Sequence, residues 1–579
     1  MPIASMEDAV KGLAGADKVM IHLMTEGRPY FGGEVDYICL SAKEKGFIVK
    51  SPDESDFLRL KELLEDDDVA IVGSDLKDLF LYAFHYGMEP KNVAFDASVA
   101  EYLLDPTKSN YEASHLIGLY ENQSIASPDD FLGKGKSRKA LLDAEEDVVG
   151  YLSRLHKFLP KVMAAQEEKL KELQMWALFS TIEMPLVETL ASMEHEGILV
   201  DEKVLDEIGA DLADEIQGLE AAIYDDAGKE FNINSTKQLA EILFEDLGLT
   251  PIKKTKTGFS TNQDVLEKLR SEHVIVDRIL KYRQLAKIQS TYVEGLKAEI
   301  APDGKIHSQF QQTITATGRI SSTNPNLQNI PIKTDAGRRI RKAFLPGEGA
   351  EFIDADYSQI ELRILAHISG DPVMQKAFKD DADIHTTTAS QVFHVDPSEV
   401  TSLMRSRAKA VNFGIVYGIS DYGLSQDLDI SRKEAKEYID NYLKKFSGVH
   451  QFMEDIVETG KAQGYVETLF HRRRYIPELA AKNFSVRSFG ERVALNMPIQ
   501  GTAADMMKKA MVAVYRKLKD EGLDAKLLLQ VHDELIIEAD KKEGERVKEL
   551  LVETMESALP LAIPVKVEVE TGENWYESK

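Results

Sequence analysis

Cysteine is almost missing from this chain: Cys39 is the only one in 579 residues. A single thiol excludes an intramolecular disulfide, fits a reducing compartment and has packing as its ordinary role, so no redox chemistry is expected. Apolar runs are short as well, none reaching the roughly 18 residues of a membrane span. The opening MPIASMEDAVKGL lacks the basic start and apolar centre of a signal peptide. A soluble, cytoplasmic protein without a membrane partner is expected. No GxxxxGK[ST] phosphate loop occurs, which argues against an ATP-driven motor. Internal repeats and low-complexity linkers are absent. Positive charge is scarce: 70 Lys and Arg against 98 Asp and Glu leave a net charge of −28, which excludes a coating of nonspecific phosphate binders.

The distribution of charge says more than its sum. Acid dominates the first 230 residues or so, as in KELLEDDDVA and DLADEIQGLEAAIYDD, whereas basic residues form later knots: KKTK at 253–256, RRIRK at 338–342, RSRAK at 405–409 and HRRR at 471–474. One such knot is ordinarily a solvated face. Four of them flanking an acidic constellation predict a polyanion track on a self-repelling acidic body.

At roughly 150 residues per domain the length predicts about three to four domains. From Met1 to about Lys171 strands and helices alternate: KVMIHLM, YICLSA, GFIVK and VAIVGS read as strands, DFLRLKELLED and LKDLFLYAFHYG as helices, an α/β layer domain. From Glu172 to about Ile300 the helical period dominates, with Ser235 as an N-cap and Gly248 as a stop. KKTKTGFST (253–261) is too polar for core and reads as a surface loop or a backbone clamp. SQFQQTITATGRISSTNPNLQNIPI is rich in uncharged hydrogen-bonding side chains, suited to lining a groove. In ISRKEAKEYIDNYLKKFSG, Ser431 and Glu434 form a capping box, and Ile439, Tyr442, Leu443 and Phe446 are a core stripe. Strands return in LLLQVHDELIIEA and VKVEVET. The fold class is therefore α/β, or more fully α+β multidomain.

The chemistry concentrates in EFIDADYSQIELRILAH (351–367). It reads as a buried strand ending in acid, with Ser358 and Glu361 as a capping box that starts a helix. Alternation along the strand turns Asp354 and Asp356 to one face, where two acids call for a cation. Leu527 to Ala539 is a hairpin with His532, Asp533 and Glu534 at its tip. If Asp356 and Asp533 converge, they can hold two hard divalent cations, the arrangement for in-line phosphoryl displacement. In RSRAKAVNFGIVYG, Arg405, Lys409, Phe413 and Tyr417 recur at i+4 and make one helical stripe, cationic then aromatic. A triphosphate can lie on its first half and a base or sugar on its second, although an ordinary amphipathic helix with snorkelling bases has the same pattern. Gly414 and Gly418 inside that helix cost roughly 1 kcal/mol each against Ala and point to a close backbone approach or a helix that moves.

In this order and spacing, DYSQIELR (356–363), RSRAKAVNFGIVYG (405–418), NMPIQGTAAD (496–505) and QVHDE (530–534) resemble the palm and fingers motifs of family A DNA polymerases. TATGRISSTNPNLQNIP, FNINSTKQL and YRQLAKIQSTY match as well, so the resemblance runs from residue 172 to the end. It implies that Asp356 and Asp533 hold two Mg²⁺ ions, with Glu534 as a helper. It implies that Arg405, Lys409 and His385 meet the incoming triphosphate. Tyr417 and Glu361 would close on the sugar, Glu361 blocking a 2′-hydroxyl, with Gln359 beside them. Phe413 would select against dideoxynucleotides. Arg319, Arg492, Asn496, Gln500 and His532 would track the primer-template duplex by shape. Asp354 has no role in the resemblance and is expected to support the site or be solvated. The implied partners are primer-template DNA and dNTPs, and the implied state is a monomer. The implied layout is a nuclease-like domain at 1–171 and a polymerase domain at 172–579. In the latter the thumb would span about 199–300, the palm about 172–198, 301–366 and 500–579, and the fingers about 367–499.

The first domain resembles the family's 3′ to 5′ proofreading nuclease but departs from it. That nuclease needs Asp-x-Glu, then Asn-x-x-x-Asp, then Tyr-x-x-x-Asp. Here His22 and Met24 stand on the first strand, the second region runs from Asp75 to Leu79, and the third from Asp143 to Asp147 without a tyrosine. A lone Asp147 cannot bind two metals, so a structural remnant is expected. The family's amino-terminal 5′ nuclease domain is expected to be missing. Two rivals remain: a metal-dependent nuclease, which would not depend on dNTPs, and a noncatalytic DNA-binding scaffold, which would not lose activity on Asp356→Asn with binding intact.

Overall fold

In the computed structural model, which describes residues 1–256 and 258–579, the amino-terminal alternation becomes one five-stranded sheet. Strands β1 (Lys18–Glu26), β2 (Glu34–Ala42), β3 (Lys45–Lys50), β4 (Ala70–Gly73) and β5 (Val93–Asp96) lie in the order β3-β2-β1-β4-β5. The first three are antiparallel and the last two join β1 in parallel. Parallel pairing needs crossover helices, supplied by Glu54–Leu64 and by α1 (Lys77–His85). Alternate residues feed two cores, with Val19, Ile21, Ile38 and Leu40 on one face and Met20, Tyr37, Cys39 and Ile48 on the other. Cys39 is fully buried, and burial pushes its thiol up to about 12. Helix α2 (Ala97–Leu104) follows β5, its N-terminus capped by the Asp96 carboxylate.

The chain divides into two units. One comprises 1–196, 309–323 and 353–570, and the other 197–308, 324–352 and 571–579. In the second unit Asp201 caps the 26-residue helix Glu202–Ala227, and Ser235 caps Thr236–Ala240 as expected. Gly248 is left-handed at φ 68. Ile223, Leu239, Leu243, Leu266, Ile275 and Ile279 form its core. Trp575 is fully buried there, under the Arg341 guanidinium at 4.3 Å. Within KKTKTGFST, residue 257 lies outside the described residues; Lys254–Thr255 and Gly258–Phe259 pair as a short antiparallel ribbon.

In the first unit, strands β6 (Gln309–Gln311) and β7 (Ser321–Thr323) make a hairpin. A second sheet contains β8 (Ala350–Tyr357), β9 (Ala525–Val531), β10 (Glu534–Asp540) and β11 (Val567–Gly572), in the order β9-β10-β8-β11. Around it stand α3 (Ile360–Ser369), α4 (Ile384–Phe393), α5 (Ser402–Val416) and the 37-residue α6 (Phe484–Asp520). Ser431 caps Arg432–Lys445 through the Glu434 N–H, but the Glu434 side chain goes to Tyr438 instead of closing a box. The stripe on that helix is carried by Tyr438, Tyr442 and Phe446, with Ile439 and Leu443 half-buried.

Candidate functional site

The acidic strand ends beside the acidic hairpin. The Tyr357 N–H donates to the Asp533 carbonyl at 3.0 Å, and the Ser358 N–H to the Lys566 carbonyl at 2.9 Å. Asp356, near the end of β8, and Asp533, in the β9–β10 turn, are therefore brought to adjoining stretches of backbone. The hairpin turn is tight: Val531 pairs with Glu534, and His532 takes a left-handed φ of 53. That conformation exposes His532, leaves Asp533 half-buried and turns Glu534 inward to 2% exposure. Burial pushes the Asp533 carboxyl above the ordinary range, and Arg319 offsets this only in part. Asp354 is buried at 4% exposure, so the expectation of a solvated side chain does not hold. Among the described residues no group of three or more His, Cys, Asp or Glu side chains is set to hold a metal ion.

The expected capping box at Ser358 and Glu361 does not form. Gln359, left-handed at φ 55, stands at the start of α3 without a side-chain cap. Glu361 turns instead to donors far along the chain, with Arg319 donating to one carboxylate oxygen at 2.6 Å and the Tyr417 hydroxyl to the other at 3.1 Å. The carboxyl is 5% exposed, and burial, aided by Asp533, raises it against the pull of Arg319. Gln500, 9% exposed, also hydrogen-bonds Tyr417.

The cationic-aromatic stripe is built as read, with one change at its end. Helix α5 stops at Val416, Tyr417 is its C-cap, and Gly418 lies beyond it at φ 65. The Ile419 N–H returns to the Gly414 carbonyl and the Gly418 N–H to the Ile415 carbonyl, a Schellman motif. Both glycines thereby acquire reasons. Gly418 supplies the left-handed turn, and a Cβ on Gly414 would lie 2.6 Å from Ile419 Cγ2. Arg405 and Lys409 are exposed, with Lys409 Nζ 6.0 Å from the Phe413 ring centre. Asp383 accepts from Arg405 Nε at 2.5 Å. Burial would raise that acid, but hydrogen bonds from Arg405, Thr386 and the His385 N–H hold it at about 2.

His385 lies beside Phe413, ring centres 5.9 Å apart. Burial lowers it to about 4, Arg405 and Lys409 adding to the effect, so it is neutral near pH 7. The Thr388 hydroxyl donates to Asn412 Oδ1 at 2.9 Å, which turns the Asn412 amide N–H toward His385 Nδ1 at 3.0 Å. Nδ1 is thus an acceptor and the proton sits on Nε2. Arg492 and Asn496 lie on α6; Arg492 is exposed, and Asn496 half-buried.

Two basic knots each have one arginine buried, Arg341 in RRIRK and Arg472 in HRRR, while Arg338, Lys342 and His471 are exposed. Arg472 is 1% exposed: its Nε donates to Asp505 at 2.7 Å, its Nη2 donates to Glu183, and Lys508 donates to Glu183 at 2.8 Å. Arg341 is 3% exposed beneath Trp575. The buried charges had a sequence signal, because Met497 to Met511 (MPIQGTAADMMKKAM) is mostly apolar or small and carries Asp505 and Lys508 three residues apart. In the nuclease-like domain, His22 and Met24 on β1 are 9% and 6% exposed and Leu79 on α1 is 1% exposed, while Asp143 and Asp147 are exposed. Burial lowers His22 to about 4, and its ring packs on Tyr151 at 6.1 Å. Asp78, one residue before Leu79, is ion-paired with Arg28.

Residues 202–577 match the model for DNA polymerase family A, and residues 21–161 that for the ribonuclease H-like domain of DNA polymerase I. DNA polymerase I of Geobacillus stearothermophilus is 45% identical over 593 aligned residues, covering 100% of this chain and 66% of the relative. That of Bacillus subtilis is 50% identical, covering 90% and 59%. The chain thus spans about 59–66% of these relatives' length. A solved structure, the POL domain of Pol1 from M. smegmatis in complex with DNA primer-template and dNTP, superposes with a TM-score of 0.91 at 35% identity, covering 100% of this chain and 99% of that one. An acidic strand beside an acidic hairpin, a cationic-aromatic helix and these relatives lead to one conclusion: the chain belongs to DNA polymerase family A.

Proposed function

We propose that this chain is a template-directed DNA polymerase of replication and repair that adds dNTPs to a primer 3′-hydroxyl by two-metal nucleotidyl transfer. The observation that carries the reading is Asp356 at the end of β8 beside Asp533 in the β9–β10 turn, the two stretches joined through the Tyr357 to Asp533 hydrogen bond. Their oxygens suit Mg²⁺, which keeps several waters and takes one or two carboxylates plus substrate phosphates. The raised Asp533 carboxyl, short of counter-charge, fits a cation as partner. Asp356 and Asp533 would hold the two ions, with Glu534 behind them. When bound, the ions supply Lewis acidity at the primer hydroxyl and at the triphosphate.

The remaining work falls to the chain's own side chains. Lys409 and Arg405 bind the triphosphate, Arg405 exchanging Asp383 for phosphate, and they stabilise the charge that develops there. His385 donates Nε2–H to a phosphate oxygen because Asn412 occupies Nδ1. Phe413 and Tyr417 pack on the sugar and base, with Gln359 nearby. Glu361, fixed by Arg319 and Tyr417, fills the space a 2′-hydroxyl would need. Arg319, Arg492, Asn496, Gln500 and His532 follow the duplex. Closure of α5 over a matched pair gives selection by induced fit.

The domain layout is proposed as palm, thumb and fingers at the boundaries given above, behind a nuclease-like domain that does not proofread. His22, Met24 and Leu79 are apolar or neutral where carboxylates are needed, and Arg28 occupies the neighbouring Asp78. One assay tests both halves. A 5′-labelled primer on a longer template should lengthen with Mg²⁺ and dNTPs, lengthen far less with NTPs, and not shorten with Mg²⁺ alone. Extension independent of dNTPs would sink the polymerase reading, and metal-dependent shortening the loss of proofreading.

A further inference from the structure

The β6–β7 hairpin carries Arg319 in its loop, and the hairpin is held by side chains of the nuclease-like domain and by a buried ionic cluster. Lys77, on α1, donates to the Phe310 carbonyl at 2.8 Å, and the Phe310 N–H donates to Glu194 at 2.7 Å. Gln312 donates to the Glu183 carbonyl at 2.8 Å. Tyr102, on α2 and fully buried, donates its hydroxyl to the Thr315 carbonyl at 2.6 Å. Its ring lies under two cations, 5.9 Å from the Arg472 guanidinium and 5.7 Å from Lys508 Nζ. The Thr315 hydroxyl then donates to the Arg319 carbonyl at 2.7 Å. Gly318, at φ 90, lies so close to Arg472 that a Cβ would sit 2.7 Å from its Nε.

We infer that Tyr102 is a positioning residue for nucleotide addition: the nuclease-like domain holds the Thr315–Arg319 loop so that Arg319 stays locked on Glu361. The path runs from the Tyr102 hydroxyl through Thr315 to Arg319, and from Arg319 to Glu361 and Tyr417. It gives the domain a part in polymerisation that needs no nuclease chemistry, and it rests on the polymerase reading.

Tyr102→Phe removes the hydroxyl and keeps the ring, so the test is a double-mutant cycle with Arg319→Ala on the full chain, read as kcat/KM for dNTP incorporation. One neutral hydrogen bond sets the scale, about a fivefold loss for Tyr102→Phe in the unsubstituted background. In the Arg319→Ala background Tyr102→Phe should change nothing further. Gly318→Ala, which presses the same loop against Arg472, should likewise lose its effect there. Equal losses in both backgrounds, or no loss at all, would overturn the inference. Failure of the unsubstituted protein to extend a primer would overturn the polymerase reading instead.

Discussion

Asp533→Ala is expected to abolish primer extension while leaving primer-template binding in place. The carboxylate stands at the tip of a hairpin whose strands are fixed by β9–β10 pairing and by the Tyr357 hydrogen bond to its backbone carbonyl, so truncation leaves the backbone frame intact. What is lost is one of the two aspartates assigned to the cations. Metal stabilisation of transition-state charge is worth several kcal/mol, and about 1.4 kcal/mol is a factor of ten. The loss should therefore be on the order of a thousandfold or more. Duplex binding is assigned in the proposed function to Arg319, Arg492, Asn496, Gln500 and His532, and should change by less than about threefold, within the scatter of an independent site. Full-rate extension by Asp533→Ala in Mg²⁺ would mean that the metal assignment is wrong.

The second large effect is on stability. Glu183 is fully buried and binds Arg472 and Lys508, and Arg472 also binds Asp505. Burial alone would push the Glu183 carboxyl up; Lys508 and Arg472 overcome this and hold it down at about 2. Glu183→Ala takes away the Lys508 ion pair and leaves Arg472 with Asp505 alone, and breaking a buried charge network by removing one partner costs about 3–5 kcal/mol. At about 2 cal/mol/K of unfolding entropy per residue, 1 kcal/mol is worth about 1 °C in a unit of about 430 residues, so the thermal midpoint should fall by roughly 3–5 °C. Because the carboxyl is depressed in the folded chain, its contribution is present above the ordinary Glu value of 4.5 and is lost as pH falls toward 2. Calorimetry near pH 7 is the check, and an unchanged midpoint for Glu183→Ala would show that the cluster does not hold this unit together.

Patterns of short range were the ones the sequence made legible. Four of the five strands of the first domain, the acidic strand before α3, the hairpin at Asp533 and the i+4 stripe on α5 all follow from local alternation and periodicity, which depend on neighbours in the chain; the four-residue β5 (Val93–Asp96) was too short to read. The errors arose where a distant partner competed. Ser358 and Glu361 have the spacing of a capping box, but Arg319 and Tyr417 offer Glu361 a stronger pair of donors, and Gln359 turns left-handed instead. Gly418 looked like a flaw inside a helix, and is the residue that ends it. Within the HRRR knot one member departs from a surface run, because Arg472 belongs to acids 289 and 33 residues away. Asp354 shares a strand face with Asp356 but not its exposure. Long-range ion pairs leave no periodic trace, and only the apolar surroundings of Asp505 and Lys508 hinted at them.

The central claim is that Asp356 and Asp533 together hold a pair of divalent ions where the primer end meets the incoming nucleotide. The most direct measurement is the number of Mn²⁺ ions bound, by electron paramagnetic resonance titration, to protein carrying a 3′-dideoxy primer-template and a matched dNTP, compared with Asp356→Asn in the same complex. The account predicts two tightly bound ions beyond those taken up by the DNA and dNTP alone, with at least one lost in Asp356→Asn. Equal uptake by the two proteins would contradict it.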